Sequence, residues 1–247
     1  MTNMDAILLG GGVGKRFSVR SDVSSSVPKQ FQMLGNAPVF IHALRSFLRL
    51  KTIRQFVVVI PEVHFPLATE QLDSYFSESI PVTLVAGGER RQDSSRLGLE
   101  ALEKLTPMPS RVIIHDACRP YLSDPFLERV RTALADRSYG AWIPVVPVVE
   151  TLKRVENHQV TETVDRSRVH RVQTPQVFEY SLIRALNERA KHETELTFTD
   201  DASLCEYYGI PVGVFDGDVR NIKLTYDFEI SVLQSMMETR KLECELE

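Results

Sequence analysis

Residues 6–17 read AILLGGGVGKRF and decide the fold class. A short apolar run suited to a buried strand leads into a loop that holds four glycines and ends with Lys15 and Arg16. Glycines let backbone N–H groups approach a ligand closely, and two cations favour a negatively charged ligand. The stretch therefore predicts a strand followed by an anion-binding loop.

Two widespread nucleotide loops do not fit these residues. A P-loop needs Gly-x-x-x-x-Gly-Lys and then a Ser or Thr, but here Leu9 stands at the first glycine and Arg16 at the hydroxyl position. A dinucleotide fingerprint would need its third glycine at Lys15 or Phe17. What remains is a glycine turn with Arg16 as a phosphate ligand, or a flexible turn with two solvated cations.

Composition excludes several classes of protein. With 43% hydrophobic and 25% charged residues among 247, the chain has an ordinary globular composition and can bury a substantial core. Its net charge of −4 disfavours nucleic-acid partners. Cys118, Cys205 and Cys244 fit neither a disulfide framework nor a zinc site. Because the chain also has no apolar run of about 18 residues and no signal-peptide pattern, we expect a soluble cytoplasmic protein without a membrane partner.

Short apolar runs rich in β-branched residues alternate with stretches of helical periodicity. The pattern predicts strands at 6–9, 56–60, 82–85, 112–114 and 141–145, and helices at 40–50, 94–105 and 125–134. After residue 171 it predicts helices at 180–191, 200–208 and 226–242, and a strand near 211–215. This alternation is typical of an α/β fold: a Rossmann-like, mostly parallel twisted sheet with helices on both faces, here in a single domain over residues 1–247.

Polar loops follow three of the predicted strands. They span residues 10–16, 87–91 and 115–120, and they carry glycines or charged side chains. Ligands of open α/β sheets bind outside the carboxyl ends of the strands. The three loops should therefore converge on one ligand-binding edge.

Residues 147–171 break the alternation. Two β-prone runs, 149–155 and 159–164, flank a turn at 156–158, and no helix separates them. An isolated two-stranded ribbon is marginally stable in water. We therefore expect a projecting β-arm that packs on a second copy of the chain and forms a homodimer.

Seven short motifs occur in an order that resembles one enzyme family. They are VPKQF (27–31), GGERRQDS (87–94), HDACRP (115–120), ETLKRV (150–155), TVDRSRVHRVQTPQVF (163–178), FTDDAS (198–203) and NIKLT (221–225). Together with the glycine loop, they resemble the 4-diphosphocytidyl-2-C-methyl-D-erythritol synthase family. The resemblance implies a nucleotidyltransferase fold, an arm that interlocks two subunits, and Mg²⁺-dependent transfer of CMP from CTP to 2-C-methyl-D-erythritol 4-phosphate in non-mevalonate isoprenoid biosynthesis.

The resemblance also implies roles for individual residues. Those with a catalytic role would be Arg16, Lys29, Arg166 and Lys223. Contacts to CTP would come from Leu9, Gly10, Gly11, Gly12, Gly14, Gly88, Glu89, Ser94, Asp116 and Ala117, with Asp116 as the Mg²⁺ ligand. The acceptor molecule would be surrounded by Arg119, Thr151, Arg166, Thr174 and Lys223, with Arg166 and Lys223 orienting its phosphate. The arm residues Thr151 and Arg166 would serve the neighbouring subunit.

Several of these residues have a second interpretation. Asp116 could cap the helix that follows Cys118, and Glu89 could be a solvated loop carboxylate. Thr199 either contacts the acceptor or caps the helix that begins near residue 200. Arg168 and Arg171 are interpreted as surface charges, and Cys118 as a small buried side chain.

Two alternative functions stay open at this point. The double glycine before Gly12, together with Phe31, is closer to ribitol-5-phosphate cytidylyltransferases, whereas Lys153, TVDRS and TDDAS favour methylerythritol phosphate. The chain could also be a catalytically inactive nucleotide-binding dimer. That alternative predicts loss of the key charged residues, and all of them are present.

Overall fold

The computed structural model describes residues 4–11, 27–104, 107–193 and 195–246. Its strands are β1 (Met4–Leu9), β2 (Met33–Leu34), β3 (Ala37–Pro38), β4 (Ile53–Ile60), β5 (Val82–Ala86), β6 (Arg111–Asp116), β7 (Ala141–Pro147), β8 (Leu152–Glu156), β9 (Gln159–Val164), β10 (His170–Val172), β11 (Gln176–Glu179) and β12 (Gly213–Asp216). Its α-helices are α1 (Val39–Leu48), α2 (Phe65–Tyr75), α3 (Arg91–Glu103), α4 (Asp124–Ala135), α5 (Tyr180–Ala190), α6 (Ala202–Tyr207) and α7 (Phe228–Leu246).

The main sheet has the strand order β10-β7-β11-β6-β1-β4-β5, and β12 also pairs with β7. The pairs β1–β4, β1–β6, β4–β5 and β7–β12 are parallel. Strand β11 is antiparallel to β6 and β7, and β10 is antiparallel to β7. The predicted α/β class with a mostly parallel sheet is confirmed. The antiparallel strands β10 and β11 were not predicted, because segments of three and four residues are too short to show a period.

Helices cover both faces of this sheet. One core contains residues of α1, α2 and α4 packed on β1, β4 and β6, including Phe40, Phe47 and Phe126. The opposite core contains residues of α3, α5 and α6, including Leu99, Ile183 and Leu204. Strands buried on both faces read as continuous apolar runs, which is the pattern seen in residues 6–9 and 56–60.

Close packing holds α3 against the first strand. A Cβ atom on Gly98 would lie 2.9 Å from Cγ2 of Ile7, which is closer than real Cβ contacts, and 3.0 Å from Cγ2 of Val59, which is closer than most of them. Only glycine allows the helix to approach the sheet this closely. The N-terminal end of α3, with Arg91 and Ser94, is thereby fixed over the carboxyl ends of β1 and β4.

The arm leaves and re-enters the sheet through one antiparallel pair, in which His170 lies opposite Pro147. Strands β8 and β9 form a separate two-stranded sheet, and their turn contains Asn157 and His158 with positive φ angles of 47° and 64°. Val155 and Val160 are 58% and 62% exposed. The hairpin matches the expected arm, although its first strand begins three residues later than the run at 149–155.

Other element boundaries differ modestly from the sequence expectations. Helix α1 ends at Leu48 rather than residue 50, and α7 begins at Phe228 rather than residue 226. Helix α2 and the small hairpin of β2 and β3 were not predicted. No helix within the described ranges is both long and apolar enough to cross a bilayer.

Candidate functional site

The loops after β1, β5 and β6 meet at one edge of the sheet. The backbone N–H of Ala117 donates to the carbonyl of Leu9 (2.9 Å), and that of Gly10 donates to the carbonyl of Val59 (2.8 Å). On the other side, the N–H of Gly87 donates to the carbonyl of Ile60 (2.9 Å). These bonds extend the sheet beyond its last strand residues and place the loops side by side, as expected for parallel strands.

Ser94 joins two of the predicted CTP-binding loops. A Cβ atom on Gly11 would lie 3.0 Å from the Ser94 hydroxyl, and one on Gly87 would lie 3.1 Å from it. The same hydroxyl accepts a hydrogen bond from the backbone N–H of Gly88 (3.1 Å). Glu89 is exposed beside this loop. The buried Ser94 therefore sets the distance between the glycines of the two loops.

Lys29 lies at the start of a 3₁₀ turn, Lys29–Phe31, that is tied to the first loop. The side-chain amide of Gln30 donates to the carbonyl of Gly10 at 2.7 Å, and Gln30 is buried. Lys29 is half-buried. Burial raises the pKa of the Cys118 thiol, which follows β6, and the nearby charge of Lys29 partly opposes that rise. The predicted site residues Gly12, Gly14 and Arg16 lie outside the described residues, as does the rest of the segment 12–26.

A cavity of about 350 Å³ opens beside Asp116 at this edge. Four of the predicted site residues line it: Asp116, Arg119, Thr174 and Lys223. The remaining lining residues are Arg91, Val172, Gln173, Gln176, Thr199, Asp200, Ser203 and Glu206. The structure thus brings three of the five predicted acceptor residues, Arg119, Thr174 and Lys223, together with Asp116 in one polar cavity.

Asp116 is the electrostatic centre of this cavity. Its Oδ2 atom lies 2.8 Å from Nζ of Lys223 and 3.4 Å from Nε of Arg119. Burial alone would raise the pKa of this carboxyl, but the charges of Lys223, Arg119 and Arg91 outweigh burial and hold the pKa well below its usual range. Asp116 is therefore ionised at neutral pH.

His115 was missed by sequence reasoning and lies directly behind the site. It is fully buried, and burial lowers its pKa to about 4. Its ring nitrogens lie 3.0 Å from the carbonyl oxygen of Arg119 and 3.0 Å from the hydroxyl of Thr174. A histidine at the end of a buried strand, inside HDACRP, is the signal that could have pointed to it.

Asn221 and Gln173 connect the other loops of the cavity. The Asn221 side-chain amide donates to the carbonyl of Thr174 (2.7 Å), while the backbone carbonyl of Asn221 accepts from the Arg119 guanidinium (2.7 Å). The Gln173 side chain donates to the carbonyl of Asp218 (2.8 Å). The segment that carries Lys223 is thereby fixed to the loops that carry Thr174 and Arg119.

Arg91 is a second residue that sequence reasoning did not select. Its guanidinium lies 2.7 Å from Oδ2 of the buried Asp201, and the side chain lines the same cavity as Asp116. Burial opposes the charge, but Asp201 and Asp116 favour it, and the pKa of Arg91 is raised. The second arginine of GGERRQDS, at the first residue of α3, was the available signal.

The predicted arm residues lie elsewhere. Thr151 and Arg166 are exposed and do not line the cavity of their own chain, and Arg166 donates to the carbonyl of Val149. Arg168 and Arg171 are exposed, as expected of surface charges. Within one chain, Thr151 and Arg166 are therefore separate from the cavity, and their role in a neighbouring subunit stays a prediction.

Hydrogen bonds in the structure test the two helix-cap interpretations. Helix α4 is capped by Ser123, whose hydroxyl accepts from the N–H of Phe126, so the interpretation of Asp116 as its cap is wrong. In the first turn of α6, the carboxylate of Asp200, rather than Thr199, accepts the N–H of Ser203. Thr199 lines the cavity, and its contact with the acceptor stays a prediction. Cys118 is buried, as expected.

The charged groups suit a divalent cation that is bound mainly by substrate phosphates and water, with one carboxylate from the protein. Across the described ranges, no group of three or more His, Cys, Asp or Glu side chains could enclose a metal ion. Mg²⁺, however, is commonly bound by one or two carboxylates together with substrate phosphates and water. A single ionised carboxylate, Asp116, at the edge of a polar cavity fits that donor set.

The fold and the site define a class: an α/β protein of the nucleotidyltransferase type, with loops and cations gathered at the carboxyl edge of its sheet. Residues 4–239 match the model of one family, described as IspD: 2-C-methyl-D-erythritol 4-phosphate cytidylyltransferase. The chain belongs to this family.

Individual relatives agree with the family match. The chain is 35% identical over 235 residues to the 2-C-methyl-D-erythritol 4-phosphate cytidylyltransferase of Bacillus thuringiensis, with 95% of this chain and 98% of that one covered. It is 34% identical over 233 residues to the bifunctional enzyme IspD/IspF of Bartonella bacilliformis, with 94% of this chain and 56% of that one covered. The chain thus spans about half the length of this bifunctional relative.

Solved structures share the fold over nearly the whole chain. The crystal structure of 4-diphosphocytidyl-2C-methyl-D-erythritol synthase from Anaerococcus prevotii superposes with a TM-score of 0.77 at 26% identity. The alignment covers 96% of this chain and 99% of that one.

Proposed function

We propose that this chain transfers CMP from CTP to 2-C-methyl-D-erythritol 4-phosphate and releases pyrophosphate, a step in isoprenoid biosynthesis. The observation that carries the proposal is the cluster of Asp116, Lys223 and Arg119 in a cavity directly beside the glycine loops. Family membership supports the choice of methylerythritol phosphate over ribitol phosphate as the acceptor.

The reaction needs charge neutralisation more than proton transfer. A phosphate oxygen of the acceptor forms a bond to the α-phosphorus of CTP, and the bond from that phosphorus to the bridging oxygen of pyrophosphate breaks. An ionised phosphate is already a nucleophile, so no general base is required. Catalysis is then positioning plus stabilisation of accumulating negative charge.

The cations of the site can supply that stabilisation. Lys29 is held next to the first loop by the neighbouring Gln30 and would contact the CTP phosphates. Lys223 is 39% exposed at its side chain and would bind the acceptor phosphate as a point charge. Arg119 would act beside it, with its orientation fixed by the carbonyl of Asn221.

The loop around Ser94 suits recognition of the base. Backbone groups of Gly88 and the hydroxyl of Ser94 can distinguish the amino and keto edges of cytosine and uracil. Glu89 extends this loop at an exposed position. We assign the residues Leu9, Gly10, Gly11 and Ala117 to the nucleotide side, because their backbones form the floor between the loops.

The proposal includes Mg²⁺, with Asp116 as its protein ligand. When bound, the ion would neutralise phosphate charge and orient the triphosphate. The chain itself would hold Asp116 ionised through Lys223 and Arg119, which also face the cavity. Thr174 would fix the backbone of Asp116, because its hydroxyl accepts the Asp116 N–H at 3.0 Å.

The arm at 147–171 is proposed to complete the site of a second subunit. Strands β8 and β9 expose almost all of their side chains, including Val155 and Val160, and form their own two-stranded sheet. Such a ribbon gains stability by packing on another surface. Thr151 and Arg166, which do not reach the cavity of their own chain, would then contact the partner's acceptor.

Acceptor comparison tests the proposed activity. Pyrophosphate release from CTP is measured with methylerythritol phosphate and with ribitol 5-phosphate, each over a range of concentrations and with added Mg²⁺. We expect a much larger kcat/KM for methylerythritol phosphate. Turnover with ribitol 5-phosphate alone would mean that ribitol 5-phosphate is the acceptor. No turnover with either acceptor would favour the catalytically inactive nucleotide-binding dimer.

Subunit complementation tests the shared site. Arg166→Ala and Lys29→Ala chains, each inactive alone, are mixed under conditions where subunit exchange is verified by mass. One of the two sites in each mixed dimer would contain both residues, so an equal mixture should recover about a quarter of the wild-type sites. A mixture without activity despite exchange would contradict the shared site.

A further inference from the structure

His115 is a buried polar residue that the chemistry of transfer does not use. It is the second-last residue of β6, directly before Asp116, and its side chain is fully buried. Its ring and that of Phe47 pack edge to face, with the ring centroids 4.9 Å apart. A buried imidazole is stable only when its nitrogens are hydrogen-bonded. Both of its partners belong to the proposed site.

The hydrogen-bond network fixes the protons of this histidine. The Thr174 hydroxyl already accepts the N–H of Asp116 at 3.0 Å, so its own hydrogen is free to be donated to Nδ1 of His115 at 3.0 Å. The proton of the ring then lies on Nε2, which donates to the carbonyl of Arg119 at 3.0 Å. The neutral ring with Nε2 protonated satisfies every member of the network.

This network holds both ends of one short turn. Through Thr174 it fixes the backbone at Asp116, and through the carbonyl bond it fixes the backbone at Arg119. The turn is closed further by the N–H of Arg119, which donates to the carbonyl of Asp116 at 3.0 Å. Asp116 and Arg119, which both line the cavity, therefore start from a stretch of backbone that is hydrogen-bonded through His115.

We propose that His115 is a positioning residue for the transfer reaction: it orients Asp116 and Arg119 toward the reacting phosphates without touching them. The inference rests on the proposed cytidylyltransferase function. Small displacements of charged groups that bind a phosphate or its metal ion are costly, and partners that orient such groups typically contribute about 10- to 100-fold.

Two substitutions separate the two hydrogen bonds. His115→Asn keeps an acceptor near the position of Nδ1 and removes the donor to Arg119. His115→Gln keeps a donor near the position of Nε2 and removes the acceptor for Thr174. We expect each variant to lower kcat by about 10- to 100-fold. Because Ser94 and Gly88 lie on other loops, the loss should fall mainly on kcat, and any rise in the KM for CTP should be smaller than the fall in kcat.

A double-mutant cycle tests the connection through Thr174. Thr174→Val removes the hydroxyl, and Thr174→Ser should restore part of the activity that Thr174→Val loses. If His115 acts through Thr174, His115→Gln combined with Thr174→Val should cost little more than the more damaging single substitution. Independent, multiplicative losses would contradict the proposed connection.

His42→Gln serves as the matched control. His42 is half-buried, and its Nε2 lies 2.7 Å from a backbone carbonyl, that of Leu34, but the residue lines no part of the cavity. We expect it to change the melting temperature and leave kcat unchanged. Unimpaired kcat in both His115 variants, or an equal kcat loss in His42→Gln, would overturn the inference. Absence of wild-type turnover would instead contradict the proposed function.

Discussion

The Nζ atom of Lys223 lies 2.8 Å from Oδ2 of Asp116, and this pair joins a buried carboxylate to an accessible cation. The Asp116 side chain is 9% exposed, whereas that of Lys223 is 39% exposed. Lys223 can therefore face a phosphate in the cavity while it keeps Asp116 ionised. A change at Lys223 therefore affects both the charge that faces the acceptor phosphate and the ionisation of Asp116, the proposed Mg²⁺ ligand.

Lys223→Met should remove both effects. Loss of one cation that stabilises transition-state charge commonly costs about 100-fold or more in kcat. It should also raise the pKa of Asp116, since burial is then opposed only by Arg119 and Arg91. Steady-state kinetics with both substrates tests the first effect. Lys191→Met is the control, because Lys191 is exposed and lies 3.8 Å from Glu188 at the surface; equal losses in the two variants would contradict the role of Lys223.

Lys29→Ala should lower kcat sharply in a folded protein. We expect a loss of about 3 kcal/mol or more in transition-state stabilisation, because Lys29 would neutralise the phosphates of CTP. Far-ultraviolet circular dichroism should match that of the wild type, since Lys29 is half-buried at the start of a short turn. Near-normal kcat would refute the assignment.

Ser94→Ala should weaken CTP binding. Its hydroxyl holds the N–H of Gly88 at 3.1 Å, and a hydrogen bond of this kind contributes about 1 kcal/mol, or about a fivefold change in Kd. Ser95 is the matched control on the same helix, because it is also buried and its hydroxyl has no hydrogen-bond partner within the described residues. Calorimetry should show weaker CTP binding for Ser94→Ala and wild-type binding for Ser95→Ala.

Stability should fall with decreasing pH because of His115. Burial lowers its native pKa from 6.5 to about 4, with Asp116 favouring and Arg119 and Lys223 disfavouring the charge. Between these values the unfolded chain binds a proton that the native chain does not, so the free energy of unfolding decreases as the pH falls from about 7 to about 4, by about 3 kcal/mol in all.

Urea unfolding across that pH range measures this contribution. The free energy of unfolding of His115→Gln should decrease less with falling pH than that of the wild type, whatever the stability of the variant at pH 7. His192→Gln, at an exposed position, should retain the wild-type decrease. An unchanged pH dependence in His115→Gln would mean that this histidine is not held neutral in the native protein.

The sequence predicted the parts of the fold that have a strong period or a defined turn. Strand β9 was predicted with its observed bounds, and the turn at Asn157 has the positive φ angles that a tight hairpin requires. Strand β11 was missed because it is four residues long and inserts between β6 and β7, far from both in sequence. No local pattern encodes such an insertion.

The site was predictable where a charged residue follows a buried strand. Asp116 was selected on that ground, and the cavity beside it contains Arg119, Thr174 and Lys223 as expected. His115 and Asn221 were missed because their importance lies in hydrogen bonds to distant loops, such as that from Asn221 to the carbonyl of Thr174. Sequence identifies residue chemistry at a strand end more readily than it identifies long-range partners.

The central claim is that this site joins CMP to the phosphate of methylerythritol phosphate. Phosphorus-31 NMR of the wild-type protein with CTP, Mg²⁺ and methylerythritol phosphate tests it most directly, because a newly formed diphosphate linkage gives two coupled signals. We expect those signals to grow in step with free pyrophosphate, and to be absent when Lys223→Met replaces the wild type over the same interval. Signals of unreacted CTP and acceptor alone, or a diphosphate product only when ribitol 5-phosphate is supplied, would contradict the claim.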